Sequence, residues 1–212
     1  MISHGIAPGK ILAVTFSKKA KESIEKKLEQ LNVYSVNVET FHSLALKIIH
    51  SAYGSKYSIW TTQWQKIKVV SDICDDIGVC DKDNTPYNDI ASFISQQKVS
   101  MVKSSNQLIY SDNMPFKDSI MKLIYEKHEG YKATNNLIEF DDFLNMANDI
   151  LDTYPEINTN YSSMFQYVLS DEFQDISLSQ FLLLRKLNSK NTMIVGDPLQ
   201  AIYAFRGGDS KY

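Results

Sequence analysis

The stretch FQYVLSDEFQD, residues 165–175, decides the fold. Its first five residues form a short, mostly apolar run interrupted by Gln166, which is typical of a strand buried on both faces of a parallel sheet. Two adjacent carboxylates, Asp171 and Glu172, follow this run almost at once. Ser177 and Gln180 then precede an apolar helical pattern, which predicts a capping box at a helix start. The stretch therefore predicts a strand, an acidic loop and a helix.

Three further apolar runs predict the rest of the sheet. They are residues 10–16 (KILAVTF), 34–38 (YSVNV) and 192–195 (TMIV). Apolar residues at helical spacing follow the first two runs, namely Ala20, Ile24, Leu28 and Leu31, then Leu44, Ala45, Ile48 and Ile49. Alternation of strands and helices predicts an α/β domain with a mostly parallel sheet.

A different pattern fills the middle of the chain. Residues 61–77 and 119–129 have helical patterns, loops are expected around 81–88 and 104–115, and strand alternation is not convincing. Another helix is predicted over residues 141–151. We therefore expect an α/β domain made of residues 1–56 and 137–212, interrupted by an all-helical insertion at 57–136.

The bulk composition is that of a globular protein, with 43% hydrophobic residues and a net charge of -3 that by itself indicates no nucleic-acid partner. Cys74 and Cys80 are too few for a zinc site, and the N-terminus lacks the apolar run of a secretion signal. No stretch reaches the roughly 18 apolar residues of a membrane span. We expect a cytoplasmic protein with reduced thiols and no membrane partner.

The carboxylate pair suggests nucleotide chemistry, because ligands of open α/β sheets bind beyond the carboxyl ends of the strands. One carboxylate of such a pair can hold Mg²⁺ through water, and the other can polarise the attacking water during hydrolysis of a nucleoside triphosphate. Taken alone, Asp171 and Glu172 fit equally well a solvated acidic turn before the helix near Ser177.

Four more motifs accompany DEFQD in a fixed order. They are residues 15–20 (TFSKKA), 40–43 (TFHS), 139–144 (EFDDFL) and 196–208 (GDPLQAIYAFRGG). Together they resemble motifs Ia and Ib, the DFDDL segment and motifs II and III of UvrD/Rep-type superfamily 1 DNA helicases. The resemblance extends over nearly the whole chain and implies the first RecA-like domain of the P-loop NTPase fold, with its helical insertion.

The resemblance also implies an ATP-dependent helicase, with ATP and Mg²⁺ as cofactors, that moves along single-stranded DNA and unwinds duplex DNA. Asp171 would bind Mg²⁺ through water, Glu172 would activate the hydrolytic water, and Gln200 would sense the γ-phosphate. Coupling of ATP to DNA would involve Gln174, Asp175 and Asp197. The DNA contacts would be Thr15, Phe16, Thr40, His42, Ser43, Tyr203, Phe205 and Arg206, with Phe205 the better stacking candidate.

The sequence departs from the family pattern at several positions. Lys18 replaces the asparagine of motif Ia, Lys21 replaces an alanine, Ala201 replaces the serine of QSIY, and Gly208 replaces the alanine of RGA. A phosphate-binding GxxxxGKS or GxxxxGKT motif is also missing. The nearest stretch, residues 5–11 (GIAPGKI), is one residue short between its glycines, ends in isoleucine and precedes a strand.

We therefore expect a fragment that begins after the P-loop and ends before the second RecA-like domain. Alone it should hydrolyse little ATP, and its incomplete sheet should favour dimerisation or strand exchange. One alternative is a motor-less module that binds single-stranded DNA or a helicase partner. Another is a subunit of a nuclease or phage-defence complex. The intact carboxylate pair favours the interpretation as a helicase fragment over the motor-less module. The sequence does not identify the pathway, which could be DNA repair or another process.

Overall fold

The structure is a computed structural model that describes residues 1–81, 85–111, 114–187 and 191–197. It divides into two compact units, Met1–Gly54 with Phe143–Tyr212, and Ser55–Asp142. The strands and α-helices in chain order are β1 (Ile11–Thr15), α1 (Lys18–Gln30), β2 (Asn37–Thr40), α2 (Phe41–Tyr53), β3 (Ser58–Trp60), α3 (Gln63–Asp76), α4 (Tyr87–Val99), α5 (Asp118–Thr134), β4 (Leu137–Glu139), α6 (Phe143–Thr153), α7 (Pro155–Met164), β5 (Tyr167–Ser170), α8 (Leu178–Lys186) and β6 (Asn191–Ile194).

The first unit holds a parallel sheet with the strand order β2-β1-β5-β6, which confirms the predicted α/β fold. All five residues of β1 are buried, as expected for an interior strand of a parallel sheet covered by helices. Its core includes the fully buried side chains Leu12, Leu44, Ile48, Ile150 and Leu183. Since the four strands are parallel, their carboxyl ends meet at one edge, where ligands of such sheets bind.

Side-chain caps fix the starts of three helices in this unit. Ser17 accepts a hydrogen bond from the backbone N–H of Ala20 at the start of α1. Thr40 and Ser43 form a capping box at α2. Ser177 and Gln180 form the predicted capping box at α8, so this prediction from the sequence is confirmed.

The second strand begins later than predicted. Residues 34–38 were expected to form it, whereas β2 covers Asn37–Thr40. Tyr34 is exposed, and Ser35 has a positive φ of 67°, a left-handed conformation that suits a turn and cannot continue a strand. The apolar run therefore includes part of the turn that precedes the strand.

The second unit packs α3, α4 and α5 around an apolar core, and the predicted insertion, residues 57–136, falls within it. It is not all-helical as predicted, because β3 and β4 form a short parallel pair in which Ile59 lies opposite Ile138. Each of these strands has three residues, which is too short for the alternating pattern that identifies a strand in a sequence.

A lysine–carboxylate cluster lies inside this second unit. We use this name for Lys66, Lys98, His128, Glu129, Lys132, Glu139 and Asp142. The Lys98 side chain is 3% exposed, and its Nζ lies 2.9 Å from carboxylate oxygens of both Glu129 and Asp142. Lys98 also donates to Glu139. The His128 ring is fully buried and stacks on Trp60 at a centroid distance of 5.8 Å.

These contacts shift the pKa values of two carboxylates. Burial alone would raise the pKa of Glu139, but the contact with His128 and the charge of Lys98 outweigh it and hold that pKa well below its ordinary value of 4.5. Burial would likewise raise the pKa of Glu129. The hydrogen bond with His128 and the charges of Lys98 and Lys132 outweigh this effect, so the pKa of Glu129 is also lowered. A carboxylate with a lowered pKa in the folded state stabilises that state when it is ionised.

The second unit is therefore expected to lose stability in acid. The contribution of Glu129 and Glu139 is complete above their unfolded-state pKa and declines as the pH falls below about 4.5 towards the lower folded-state values. Both tryptophans of the chain, Trp60 and Trp64, belong to this unit, so tryptophan fluorescence reports its unfolding in urea. A urea midpoint that stays constant from about pH 7 to about pH 3 would contradict this expectation.

Among the helices of the described ranges, none combines the length and the apolar character needed to cross a membrane.

Candidate active site

The carboxyl edge of the sheet brings three of the predicted motifs together. Ser170 of β5 is paired with Val14 of β1 on one side and with Ile194 of β6 on the other. The residues that follow these partners are Thr15, Asp171 and Val195, so motifs Ia, II and III leave the sheet side by side. The spacing of the motifs in the sequence does not give the order of the strands. In the structure β5 lies between β1 and β6, which brings the three motifs together.

The carboxylate pair occupies the turn directly after β5. Asp171 and Glu172 are both exposed, and one carboxylate oxygen of Asp171 accepts the backbone N–H of Glu172 at 2.9 Å. Glu172 has φ 52° and ψ 42°, the left-handed conformation that residues other than glycine seldom adopt. Strained backbone of this kind is concentrated at functional sites, where the surrounding structure enforces it.

Gln174 joins this turn to the residues after β6. Its side chain is buried, and its Nε2 donates a hydrogen bond to Glu172 Oε2 at 2.6 Å. Its Oε1 accepts the backbone N–H of Asp197 at 3.0 Å. One side-chain amide thus contacts both a candidate catalytic carboxylate, that of Glu172, and the backbone of Asp197 in motif III. We call these two hydrogen bonds the Gln174 bridge.

Backbone contacts bring the two motifs close around the bridge. Phe173 donates to the carbonyl of Val195 at 3.0 Å, and Val195 donates to the carbonyl of Ser170 at 2.9 Å. Gly196 passes so near that a Cβ there would lie 2.6 Å from Gln174 Oε1 and 3.1 Å from the backbone nitrogens of Gln174 and Phe173. The absence of a side chain at Gly196 is therefore what permits this approach.

The predicted DNA-contact residues of motif Ia differ in accessibility. Thr15 is 1% exposed, and its hydroxyl donates to the backbone carbonyl of Ser17 at 3.1 Å. Phe16, the next residue, is half-buried and follows the end of β1. The structure therefore leaves the Phe16 side chain partly accessible at this edge, while the Thr15 hydroxyl is turned into the protein.

The predicted DNA-contact residues of motif Ib stand at the start of α2. Thr40 and Ser43 are half-buried and form the capping box, in which each side chain hydrogen-bonds the other residue's backbone N–H. His42 is half-buried too, with its ring 6.5 Å from the ring of Phe143. Thr40 is paired with Thr15 of β1, so motif Ib adjoins motif Ia.

The remaining predicted site residues divide into two groups. Asp175 is buried beside Gln174, and Asp197 is exposed after β6. The other four lie outside the described residues, namely Gln200, Tyr203, Phe205 and Arg206.

The ionic partners of motif Ib were not predicted from the sequence. Glu39, one residue before the motif, is buried and contacts both Lys21 and Lys47. Lys21 was noticed only as a departure from the family pattern, and neither Glu39 nor Lys47 was singled out. An acidic residue at the end of an apolar strand was the available signal, since a buried carboxylate requires a partner.

Asp171 also meets the requirements of a magnesium ligand. Mg²⁺ keeps several waters and binds few protein oxygens, so it suits an exposed carboxylate at a strand end. The Asp171 side chain is exposed, and one of its oxygens is engaged with the N–H of Glu172 while the carboxylate has a second. The residues at this turn therefore fit a hydrated Mg²⁺ ion.

A parallel sheet flanked by helices, with adjacent carboxylates at the carboxyl end of an interior strand, is the arrangement of an α/β nucleotide-binding domain and is consistent with part of a RecA-like domain. The chain belongs to the UvrD/Rep helicase family, since the family description "UvrD/REP helicase N-terminal domain" matches residues 1–212. This agrees with the resemblance found in the motifs.

Several curated proteins are similar to the chain along nearly its whole length. It is 33% identical over 215 residues to a probable DNA helicase II homolog of Rickettsia felis, covering 96% of this chain and 32% of that protein. It is 30% identical over 227 residues to the putative ATP-dependent DNA helicase YjcD of Bacillus subtilis, covering 100% and 29%. It is 26% identical over 219 residues to the ATP-dependent DNA helicase PcrA of Bacillus subtilis, covering 99% and 29%. The chain thus spans about a third of the length of these relatives.

Proposed function

We propose that the chain forms the N-terminal RecA-like part of an ATP-dependent DNA helicase that translocates on single-stranded DNA and unwinds duplex DNA. The observation that carries this proposal is the Gln174 bridge, which joins the carboxylate of Glu172 to the backbone of motif III. A motor needs such a connection, because hydrolysis at one site must change the grip on DNA at another. The names of the relatives, which are DNA helicases, support the same function.

The carboxylates have separate roles in this proposal. Asp171 would hold Mg²⁺ through water, and the ion would neutralise charge on the ATP phosphates when bound. Glu172 would accept a proton from the attacking water as a general base. The Gln174 amide donates to Glu172, which fixes the carboxylate in one orientation. Gln200 would sense the γ-phosphate, with Gln174, Asp175 and Asp197 linking it to the DNA groove.

The DNA-facing roles follow from accessibility at the sheet edge. Phe16 and His42 offer half-buried rings that can pack on bases, and base stacking suits a motor that must hold any sequence. Thr15 would support the turn at Ser17, since its hydroxyl is buried. Thr40 and Ser43 would order the start of α2. Tyr203, Phe205 and Arg206 would complete the DNA surface, and residues 57–136 would be the inserted subdomain.

A motor-less module that binds single-stranded DNA or a helicase partner is the second candidate. The observation that favours it is the half-buried Phe16 and His42 at the sheet edge, since their rings could pack on bases without a nucleotide. ATP hydrolysis separates the two candidates. The 212-residue chain alone is expected to hydrolyse little ATP in either case, so the assay uses the full-length protein. There, turnover that single-stranded DNA stimulates and Glu172→Gln abolishes would support a motor, whereas turnover no higher than in Glu172→Gln would support a binding module. Cys74 and Cys80 are both reduced cysteines, which suits a reducing cytoplasm in either case.

The DNA-binding part of the proposal is tested by fluorescence anisotropy. The chain is expected to bind a labelled oligothymidylate of about 20 nucleotides more tightly than a duplex of equal length. Phe16→Ala is expected to weaken this binding roughly 5- to 150-fold, which corresponds to the loss of one stacking contact worth about 1–3 kcal/mol.

Tyr34→Ala is the matched control for Phe16→Ala. Tyr34 is an exposed aromatic residue that precedes β2, so it lies towards the opposite, amino-terminal edge of the same sheet. Its removal should leave the affinity unchanged within about twofold. Equal losses in both variants, or no binding to single-stranded DNA, would refute the proposed DNA contact at motif Ia.

A further inference from the structure

Glu39 is the centre of a small ionic cluster beside motif Ib. It is the third residue of β2, is 7% exposed and lies opposite Val14 of β1. Its carboxylate accepts the Ser43 hydroxyl at 2.5 Å and the Lys21 ammonium at 3.1 Å, and the Lys47 ammonium contacts its other oxygen. We call these four residues the Glu39 cluster. It stands at the carboxyl edge of the sheet, next to the proposed DNA contacts.

The Ser43 hydroxyl is fully used inside the protein. A hydroxyl has one hydrogen to donate and two lone pairs that accept. Ser43 Oγ accepts the backbone N–H of Thr40 at 2.9 Å and the Thr40 hydroxyl at 3.1 Å. Its hydrogen goes to Glu39, since a bond to an ionised carboxylate is stronger than the alternative bond to the Thr40 carbonyl. No hydrogen of Ser43 is left for a phosphate.

The two lysines of the cluster are neutralised in part by the same carboxylate. Burial would raise the pKa of Glu39, but Lys47, Ser43 and Lys21 outweigh it and lower that pKa, so the group is charged at neutral pH. Glu25, which is 45% exposed, also lies 3.8 Å from Lys21, so Glu39 is the buried carboxylate that the two lysines share. The Lys47 side chain is 59% exposed and that of Lys21 is 25% exposed, so both can reach a ligand in solvent.

We propose that Glu39 limits how strongly this edge of the sheet binds the phosphate backbone of single-stranded DNA, by holding Lys21 and Lys47 in ion pairs and closing the Ser43 hydroxyl. The inference rests on the proposed function. Lys21 is a departure from the family pattern, which has alanine there, and Glu39 is the nearer of its two carboxylate partners, at 3.1 Å against 3.8 Å for Glu25. The pair therefore forms a feature that the motif pattern does not contain.

Glu39→Gln tests the inference in the full 212-residue chain. Glutamine keeps an oxygen that accepts from Ser43 but removes the charge that holds the lysines. Binding of a labelled oligothymidylate is measured by anisotropy over a range of salt concentrations. The variant is expected to bind about threefold to tenfold more tightly at low salt. The slope of log affinity against log salt should become more negative by about 0.7 for each lysine that gains a phosphate.

Two further variants separate this effect from the change in net charge. Glu29→Gln removes the same charge from an exposed position of α1, eight residues and roughly 12 Å along the helix from Lys21. It should change the affinity less than about twofold. Lys21→Ala with Lys47→Ala, made together with Glu39→Gln so that no buried carboxylate loses its partners, should abolish the gain.

The outcomes distinguish this inference from the proposed function. A steeper slope and tighter binding in Glu39→Gln alone would support it. Binding by the unsubstituted chain that Glu39→Gln weakens or leaves unchanged would overturn the inference and leave the proposed function standing. Absence of binding by every variant, Glu39→Gln included, would overturn both. Thermal melts followed by circular dichroism verify that each variant is folded.

Discussion

Replacing Lys98 by alanine is expected to lower the free energy of unfolding of the Ser55–Asp142 unit by about 3–5 kcal/mol. The Lys98 side chain is 3% exposed, and its ammonium group forms ion pairs with Glu129, Glu139 and Asp142. Its removal leaves carboxylates in the interior with too few cations, and an unpaired buried charge is costly. Urea unfolding followed by tryptophan fluorescence measures the loss.

Two comparisons identify the cause of this loss. Lys98→Met keeps most of the side-chain volume but not the charge, so it should be destabilising to a similar degree if the ionic contacts are responsible. Lys122→Ala removes a lysine that is 39% exposed and paired with Glu126 one helical turn away. Exposed pairs contribute little, so this variant should stay within about 0.5 kcal/mol of the unsubstituted chain. A loss below about 1 kcal/mol in Lys98→Ala would mean that the cluster is not a significant stabilising element.

Replacing Gly196 by alanine is expected to disrupt the Gln174 bridge and to cost about 1–3 kcal/mol. The new Cβ would lie 2.6 Å from Gln174 Oε1, a distance that forces this side chain to move. The hydrogen bond from the Asp197 N–H would then be lost, along with the fixed contact to Glu172. Urea unfolding followed by circular dichroism gives the change in stability, and faster hydrogen exchange of the Asp197 amide shows that the bridge has opened.

Gly130→Ala is the matched control for Gly196→Ala. Gly130 lies within α5, and a Cβ built there has nothing within 4 Å. Alanine in a helix is favoured over glycine, so this variant should be more stable by about 0.5–1 kcal/mol. If Gly196→Ala is tolerated as well as Gly130→Ala, and the Asp197 amide stays protected, the bridge is not a rigid connection between motifs II and III.

The elements with a strong apolar pattern were the ones that could be predicted from the sequence. The four strands of the main sheet and the cap of α8 belong to this group, because apolar runs and capping residues are local signals. Two helices were not singled out. The buried face of α4 includes the polar residues Gln97 and Lys98, which dilute its pattern. None of the ten residues of α7, all of them described, is buried, so it has no apolar stripe.

The candidate site was predictable only as a set of motifs. The sequence identifies Asp171 and Glu172, but their surroundings depend on contacts between distant segments. Gln174 reaches residue 197 across the sheet edge, and Glu39 meets Lys21 from another element. Such pairings have no local pattern, because they depend on strand order and side-chain direction. The accessibility of Thr15 and Ser43 was likewise fixed by the fold and not by the residue type.

The left-handed backbone of Glu172 has a consequence for protein engineering. A residue with a side chain is strained there, and glycine or asparagine would adopt the same conformation at lower cost. A library screened only for thermal tolerance would therefore tend to enrich glycine or asparagine at this position. The selected variants would be more stable to heat but would lack the Glu172 carboxylate on which the proposed chemistry depends. Any screen on this chain should thus couple survival on heating to a functional readout.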